Sequence, residues 1–158
     1  MTSDTFFIEE VYTSSSLKNT SIYYLVDYFD DETAKKILIE EGLSKDDAEY
    51  VVNMSGGVPW VMAEVTSNGD PKEKIENLYL QTKARLIDVL ANAKKKGLYE
   101  KVIDTLKKAL DNELDPINDR EMIEELVSKE VLFYDPIRNE TKFQTKLDER
   151  AAREILNM

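Results

Sequence analysis

Three adjacent carboxylates, Asp30, Asp31 and Glu32, are of a type that could hold a metal ion or act as an acid–base pair. No cluster of further ligands accompanies them in the sequence. Negative charge is also favourable in the first turn of a helix, and Asp is a preferred N-cap residue. We therefore interpret these carboxylates as the start of a helix.

Three adjacent lysines, Lys94, Lys95 and Lys96, are the second group that could do chemistry. As a functional site they would contact phosphate groups of a nucleic acid. The alternative is that they lie at a helix C-terminus, where positive charge is favourable. Residues 83–108 carry 8 basic and 3 acidic side chains. If the protein binds DNA, this stretch would bind it.

Composition excludes several classes of chemistry. The 158 residues include no His and no Cys, which excludes disulfides, the common zinc sites and catalysis by Ser–His or Cys–His pairs. The net charge of -11 repels nucleic acid and anionic membranes. No stretch approaches the roughly 18 apolar residues of a membrane span, and no signal peptide is recognisable. We expect a cytoplasmic protein that does not bind membranes.

The sequence also lacks the phosphate-binding loop G-x-x-x-x-G-K-[ST]. Gly56 and Gly57 are instead followed by Val58, Pro59 and Trp60. Taken alone, this segment is interpreted as a helix stop, a tight turn and a new helix start.

The first third of the chain changes from strand-like to helical patterns. Residues 5–12 and 22–29 are β-branched and aromatic, which predicts two strands. Apolar spacing then predicts three short helices. The first begins at Asp30 or Asp31 and ends at Gly42, the second begins at Ser44, and the third covers residues 60–65.

Residues 70–158 are predicted to form helices around one short hairpin. Asp70 and Pro71 are strong start signals for a long helix that Gly97 ends. The following elements are a helix at 98–110, a helix that Asn118 caps, strands at 131–134 and 142–144 around a turn, and a final helix that Thr145 caps. The order helix, helix, strand, strand, helix is that of a winged-helix domain.

The helix in the recognition position of this winged helix, residues 118–129, carries more acidic than basic side chains. A helix that reads DNA must approach a groove lined by phosphates, and it usually carries Arg, Lys, Asn or Gln. The winged-helix shape therefore does not imply duplex binding. A protein–protein role for the wing is at least as well supported.

Four segments, in this order and spacing, resemble the C-terminal half of the archaeal P-loop ATPase family, a group of STAND/AAA+-like NTPases. Nearly the whole chain takes part in the resemblance. The segments are residues 3–12 (end of a core strand at the sensor position), 24–34 (last core strand leading into the lid), 54–60 (a lid motif of the Gly-x-Pro type) and 131–136 with the closing helix (winged-helix end).

The resemblance implies a site. Gly57, Val58 and Pro59 would pack against the adenine of a bound nucleotide, and Ser3 or Asp4 would lie near the γ-phosphate. The phosphate-binding loop and the acidic strand that binds Mg²⁺ would precede Met1. ATP or ADP would bind only with that half, present in the same chain or as a separate partner, and this chain alone is not expected to hydrolyse ATP.

We therefore expect an α+β, mostly helical protein that couples nucleotide state to contacts with partners. Its expected parts are a core remnant at residues 1–29, a helical lid at 30–69, a linking helix at 70–97 and a winged helix at 98–158. Two alternatives stay open. One is a stand-alone winged-helix regulator that binds DNA, and the other is a protein-interaction module.

Overall fold

The computed structural model describes residues 26–136 and 138–157. The predicted strand at 5–12 and the first half of the one at 22–29 lie outside the described residues. The described end of the second, residues 26–29, forms an isolated antiparallel bridge between Phe29 and Gly57 rather than a regular strand. Up to residue 30, the described chain therefore runs as an extended connector.

The described chain is α+β and mostly helical, as predicted, with a small two-stranded sheet. Each helix predicted from residue 30 onward is present. The elements are α1 (Asp31–Glu40), α2 (Lys45–Ser55), α3 (Pro59–Thr66), α4 (Pro71–Lys95), α5 (Tyr99–Asp111), α6 (Arg120–Ser128), β1 (Leu132–Asp135), β2 (Glu140–Phe143) and α7 (Lys146–Ile155).

Helix starts follow the predicted capping residues. The Asp30 carboxylate accepts the backbone N–H of Thr33 at 2.9 Å, and the Ser44 hydroxyl accepts that of Asp47 at 3.1 Å. These bonds satisfy N–H groups that the first turn of a helix leaves free. The carboxylates at the start of α1 thus act as helix-capping and first-turn residues.

The prediction that Asn118 caps α6 is wrong. The N-cap is Asp119, without a side-chain cap bond. The carboxylate of Asp115 accepts the backbone N–H groups of Ile117 and Asn118, at 2.8 and 3.0 Å, and the Asn118 side chain donates to it at 2.6 Å. Asn118 therefore belongs to the preceding turn.

The hairpin pairs Leu132 with Phe143 and Asp135 with Glu140 in an antiparallel register. The first strand starts one residue later than predicted. The return strand starts earlier, because the turn is tighter than the residue types indicate. Asn139 adopts the left-handed conformation (φ 55) that closes this turn.

Two apolar cores lie along α4. The first core is built by α1, α2 and α3 against Ile75 at the start of α4. The second is built by α5, α6, β1 and α7 against Leu86 and Leu90, further along α4. Leu147 of α7 is fully buried in the first core. Both α4 and α7 therefore contribute to each core.

Candidate functional site

Gly57, the first residue of the predicted adenine-contacting turn, lies against the backbone of Phe29. The Phe29 N–H donates to the Gly57 carbonyl at 3.0 Å. A Cβ atom on Gly57 would lie 2.1 Å from the Phe29 carbonyl oxygen, far inside van der Waals contact. Glycine is required at this position because the two backbones are so close.

Gly56 ends α2 in a conformation that favours glycine, with φ 70 and ψ -162. The Ser55 hydroxyl is buried, within hydrogen-bond distance of the carbonyls of Val51 and Gly56, at 3.0 and 3.2 Å. The end of α2 is therefore held by side chain and backbone together, which fixes the direction in which the turn leaves the helix.

The next residues divide between core and surface. Val58 is 1% exposed and belongs to the first core, and its carbonyl accepts the N–H of Met62 at 3.0 Å. Pro59 occupies the first position of α3 and is exposed. Trp60 is 55% exposed. A ligand at this turn would meet Pro59 and backbone, while the Val58 side chain faces the core.

A cleft of about 330 Å³ lies beside this turn. One wall is the connector and the end of α2, including Phe29, Gly56 and Gly57. The opposite wall is the segment from β2 into α7, including Lys142 and Lys146. The cleft therefore brings residues 55–57 next to the segment that leads into the last helix, 85 or more residues away in sequence.

Two ion pairs close the cleft. Lys142 Nζ lies 3.0 Å from an oxygen of Asp27, and Lys146 Nζ lies 2.9 Å from an oxygen of Asp31. Partial burial acts to raise the pKa of Asp27, but the Tyr28 N–H and the Lys142 ammonium outweigh it and lower the pKa. Lys142 thus holds the connector against the hairpin, and Lys146 holds the start of α1 against α7.

A third link across the cleft is a neutral hydrogen bond. The Gln144 amide donates to the Tyr28 hydroxyl at 3.2 Å. Half-burial of the phenol raises the pKa of Tyr28, and this outweighs the hydrogen bond from Gln144. Tyr28 therefore stays neutral and hydrogen-bonded across the ordinary pH range.

A second, larger cleft of about 550 Å³ lies between the hairpin and the loop after α5. Its lining includes Asn112, Pro116 and Arg138. It also shares Asp27 and Lys142 with the first cleft. It contains none of the predicted site residues, so the smaller cleft is the candidate site.

The three predicted lysines do not line this cleft. Ser3 and Asp4 lie outside the described residues. Lys94, Lys95 and Lys96 are exposed at the end of α4, and Lys96 lies 3.2 Å from a Glu125 oxygen. Among residues 26–136 and 138–157, no group of three or more carboxylates could hold a metal ion.

Sequence reasoning missed Phe29, Lys142 and Lys146. Phe29 was assigned to a strand, and nothing local indicated that its backbone would meet Gly57. The two lysines belong to an alternating charged segment that is typical of any exposed hairpin. Their one distinguishing signal was position, since Lys142 in β2 and Lys146 at the start of α7 lie on either side of the predicted cap of that helix.

Within residues 26–136 and 138–157, no helix is both long and apolar enough to cross a membrane.

Residues 1–65 match the sequence profile of an ATPase domain predominantly from Archaea. Similarity to relatives extends over the whole chain. The chain is 35% identical to an uncharacterized ATP-binding protein of Pyrococcus abyssi, over 100% of this chain and 47% of the relative. It is 31% identical to one of Methanocaldococcus jannaschii, over 99% of this chain and 48% of the relative.

These matches support an archaeal ATPase family, in agreement with the resemblance noted in the sequence. The chain spans about half the length of these relatives. No solved structure matches the chain. The match at residues 1–65 includes the connector, α1, α2 and the Phe29–Gly57 bridge. One wall of the candidate cleft therefore lies within the matched region, and the wall from Lys142 to Glu149 lies outside it.

Proposed function

We propose that this chain acts as the lid and winged-helix portion of an archaeal-type P-loop ATPase, with the turn at Gly57, Val58 and Pro59 as its adenine contact. The observation that carries the proposal is the bridge between Phe29 and Gly57. It fixes the turn beside a cleft that is also lined by the start of α7. A nucleotide at the turn would therefore contact both the end of α2 and the start of α7.

The side chains around the turn are suited to a flat aromatic base. Pro59 offers a rigid apolar face, and Phe29 and Trp60 are 45% and 55% exposed. Offset stacking on aromatic rings is favourable for such a base. The Gly57 carbonyl already accepts the Phe29 N–H, so other backbone groups of the turn would make the polar contacts to a base.

The cleft also supplies a way to couple nucleotide to partners. Lys142 and Lys146 pair with Asp27 and Asp31 across it, and an anionic ligand would compete with these carboxylates. Rearrangement of the ion pairs would shift the hairpin and α7 relative to the connector. A two-state element of this kind is what nucleotide-dependent contact with a partner protein requires.

The chain's single tryptophan allows a direct test, because Trp60 adjoins the proposed adenine contact. The part of the Pyrococcus abyssi relative that lies outside the matched region is joined to this chain, and nucleotide is titrated while Trp fluorescence is recorded. We expect saturable quenching by ATP and ADP, and little change for this chain alone.

Two proline variants of this fusion give a matched comparison, since Pro59 and Pro71 both occupy the first turn of a helix. Pro59→Ala should weaken nucleotide binding several-fold, while Pro71→Ala should leave it unchanged. Equal effects of the two substitutions, or quenching by inorganic phosphate without adenine, would contradict an adenine contact at this turn.

DNA binding is less well supported by the surface charges. Of the basic residues at 83–108, four are engaged in ion pairs: Lys83 with Glu154, Arg85 with Asp148, Lys96 with Glu125 and Lys108 with Asp119. The first turn of α6 contains Glu121. Half of the eight basic side chains in this stretch are therefore neutralised by the protein's own carboxylates.

A further inference from the structure

The face of α4 that points away from both cores carries an apolar stripe. Leu80 and Ile87 are 59% and 49% exposed, and Ala84 and Ala91 are also exposed. Successive spacings of four, three and four residues put all four on one side of a helix. The buried residues of α4 lie on the opposite side: Ile75, Leu86, Leu90 and Ala93.

Opposite charges lie at the two ends of this stripe. Glu73 and Glu76 are exposed towards the start of α4, and Lys94 and Lys95 are exposed at its end. Glu76 also accepts a hydrogen bond from the Tyr50 hydroxyl at 3.0 Å. Within the described ranges, Lys94 and Lys95 form no ion pair.

We propose that the stripe is a homotypic interface, on which a second copy of this chain packs its own α4 in the antiparallel direction. In that direction the acidic end of each helix meets the basic end of the other. This occupant is favoured by charge complementarity, because the same face supplies both signs at matching distances from its centre.

The apolar side chains are complementary in the same arrangement. With Ala84 opposite Ile87 of the second copy, Leu80 falls opposite Ala91. Each contact then joins a large side chain to a small one, which lets two helices approach closely and fill the space between them. A parallel pair would set Leu80 against Leu80 and Lys94 against Lys94, which leaves gaps and like charges.

The contact area of one helix stripe is below the standard size of stable interfaces, and each chain carries a net charge of -11. We therefore expect a weak dimer that forms at high protein concentration. The proposal is separate from the nucleotide contact, since the stripe lies on the far side of α4 from the first core.

Disulfide trapping tests the direction of packing, and the absence of native Cys makes introduced thiols unique. Leu80→Cys and Ala91→Cys variants of the full chain are oxidised separately and as a mixture. The mixture should give the mixed disulfide, because facing positions come within the 4.4–6.8 Å Cα separation that a disulfide needs. A homodimer of Leu80→Cys as the main product would overturn the antiparallel arrangement.

Sedimentation velocity over a range of concentrations tests the dimer itself. Ile87→Glu should raise the dissociation constant at least tenfold, and Ile39→Glu, at an exposed Ile of α1 (42%), should leave it unchanged. Circular dichroism confirms that both variants are folded. A wild-type chain that stays monomeric at every concentration, or equal effects of the two substitutions, would refute the proposal.

Discussion

Arg85 of α4 and Asp148 of α7 form an ion pair in which only one partner reaches solvent. Arg85 NH2 lies 2.5 Å from Asp148 Oδ1, and the side chains are 41% and 3% exposed. Burial raises the pKa of Asp148, although the Thr145 hydroxyl and the guanidinium of Arg85 act to lower it. The pair therefore depends on Arg85 to keep a buried carboxylate charged.

Arg85→Met should destabilise the protein by about 2 kcal/mol near neutral pH, because it leaves a buried carboxylate without its cation. Because the pKa of Asp148 is higher in the folded than in the unfolded chain, protonation of this carboxyl favours folding. That contribution is present below the ordinary pKa of 3.8 and is lost as pH rises through the raised pKa. The difference between variant and wild type should therefore shrink as pH falls towards about 3. Urea denaturation at several pH values measures this difference in unfolding free energy between variant and wild type.

Arg153→Met is the control for that experiment. Arg153 pairs with Glu149 one turn away on α7, and both side chains are largely exposed, at 46% and 41%. Exposed pairs of this kind contribute little to stability, about 0.5 kcal/mol or less. If the two variants lose the same stability, the pair of Arg85 with Asp148 has no special role in joining the helices.

Gly57→Ala should cost about 2 kcal/mol of unfolding free energy, because the new methyl group would force apart the backbones of Phe29 and Gly57. Gly42→Ala supplies a comparison: Gly42 has φ 103, and an added Cβ meets no atom within 4 Å. That substitution should cost only the backbone strain, about 1 kcal/mol. Thermal unfolding of both variants checks the order, and a reversed order would exclude the steric contact as the cause.

Thr145→Ala should be more costly than an ordinary loss of a helix cap. The Thr145 hydroxyl accepts the Asp148 N–H at 3.2 Å and donates to the Asp148 carboxylate at 2.6 Å. Its removal should cost about 2 kcal/mol, since a buried carboxylate oxygen also loses its donor.

Two substitutions, both expected to cost less, serve as comparisons for Thr145→Ala. Ser44→Ala removes a cap of the same type at the exposed start of α2 and should cost about 1 kcal/mol, while Thr145→Ser should retain most of the stability. Chemical denaturation measures the loss of unfolding free energy for Thr145→Ala, Ser44→Ala and Thr145→Ser. Equal losses for Ser44→Ala and Thr145→Ala would mean that the hydroxyl contributes nothing to Asp148.

Tyr79→Phe should alter stability at alkaline pH. Burial, together with the hydrogen bond from Tyr79 to Glu154, raises the pKa of Tyr79 from 10.0 to about 12. The resulting stability is present below pH 10.0 and is lost as pH rises through about 12. The wild type should therefore lose more stability than the variant as pH rises from 10.0 to about 12. Parallel curves would indicate an ordinary phenol at this position.

Local sequence signals predicted most of the helical framework. Caps such as Asp30, Ser44 and Thr145 act through bonds within three residues, so their effect can be deduced from spacing alone. The prediction that Asn118 caps α6 failed because Asp115, only three residues away, accepts hydrogen bonds from two N–H groups of the same segment. A capping pattern does not show which of two nearby polar side chains binds the backbone.

The candidate site depends on contacts that no local pattern encodes. The Gly-Val-Pro turn was recognised from residue type, but its partner Phe29 is 28 positions earlier. Lys142 and Lys146 approach the connector only because the hairpin and α7 fold back across α4. Ion pairs over this sequence distance require the tertiary arrangement, which the pattern of charges does not determine.

Leu147 is completely buried in the first core, which is formed by α1, α2, α3 and the start of α4. It belongs to α7, the helix whose residues Ala151 and Ala152 are buried in the second core. The parts of the chain that form the two cores are therefore joined by this buried contact of α7 with the first core. A fragment covering only residues 98–158 would expose this leucine to water, and a fragment ending before α4 would lose Leu147 from its own interior. We expect calorimetry of the intact chain to record a single melting transition in which both halves unfold together.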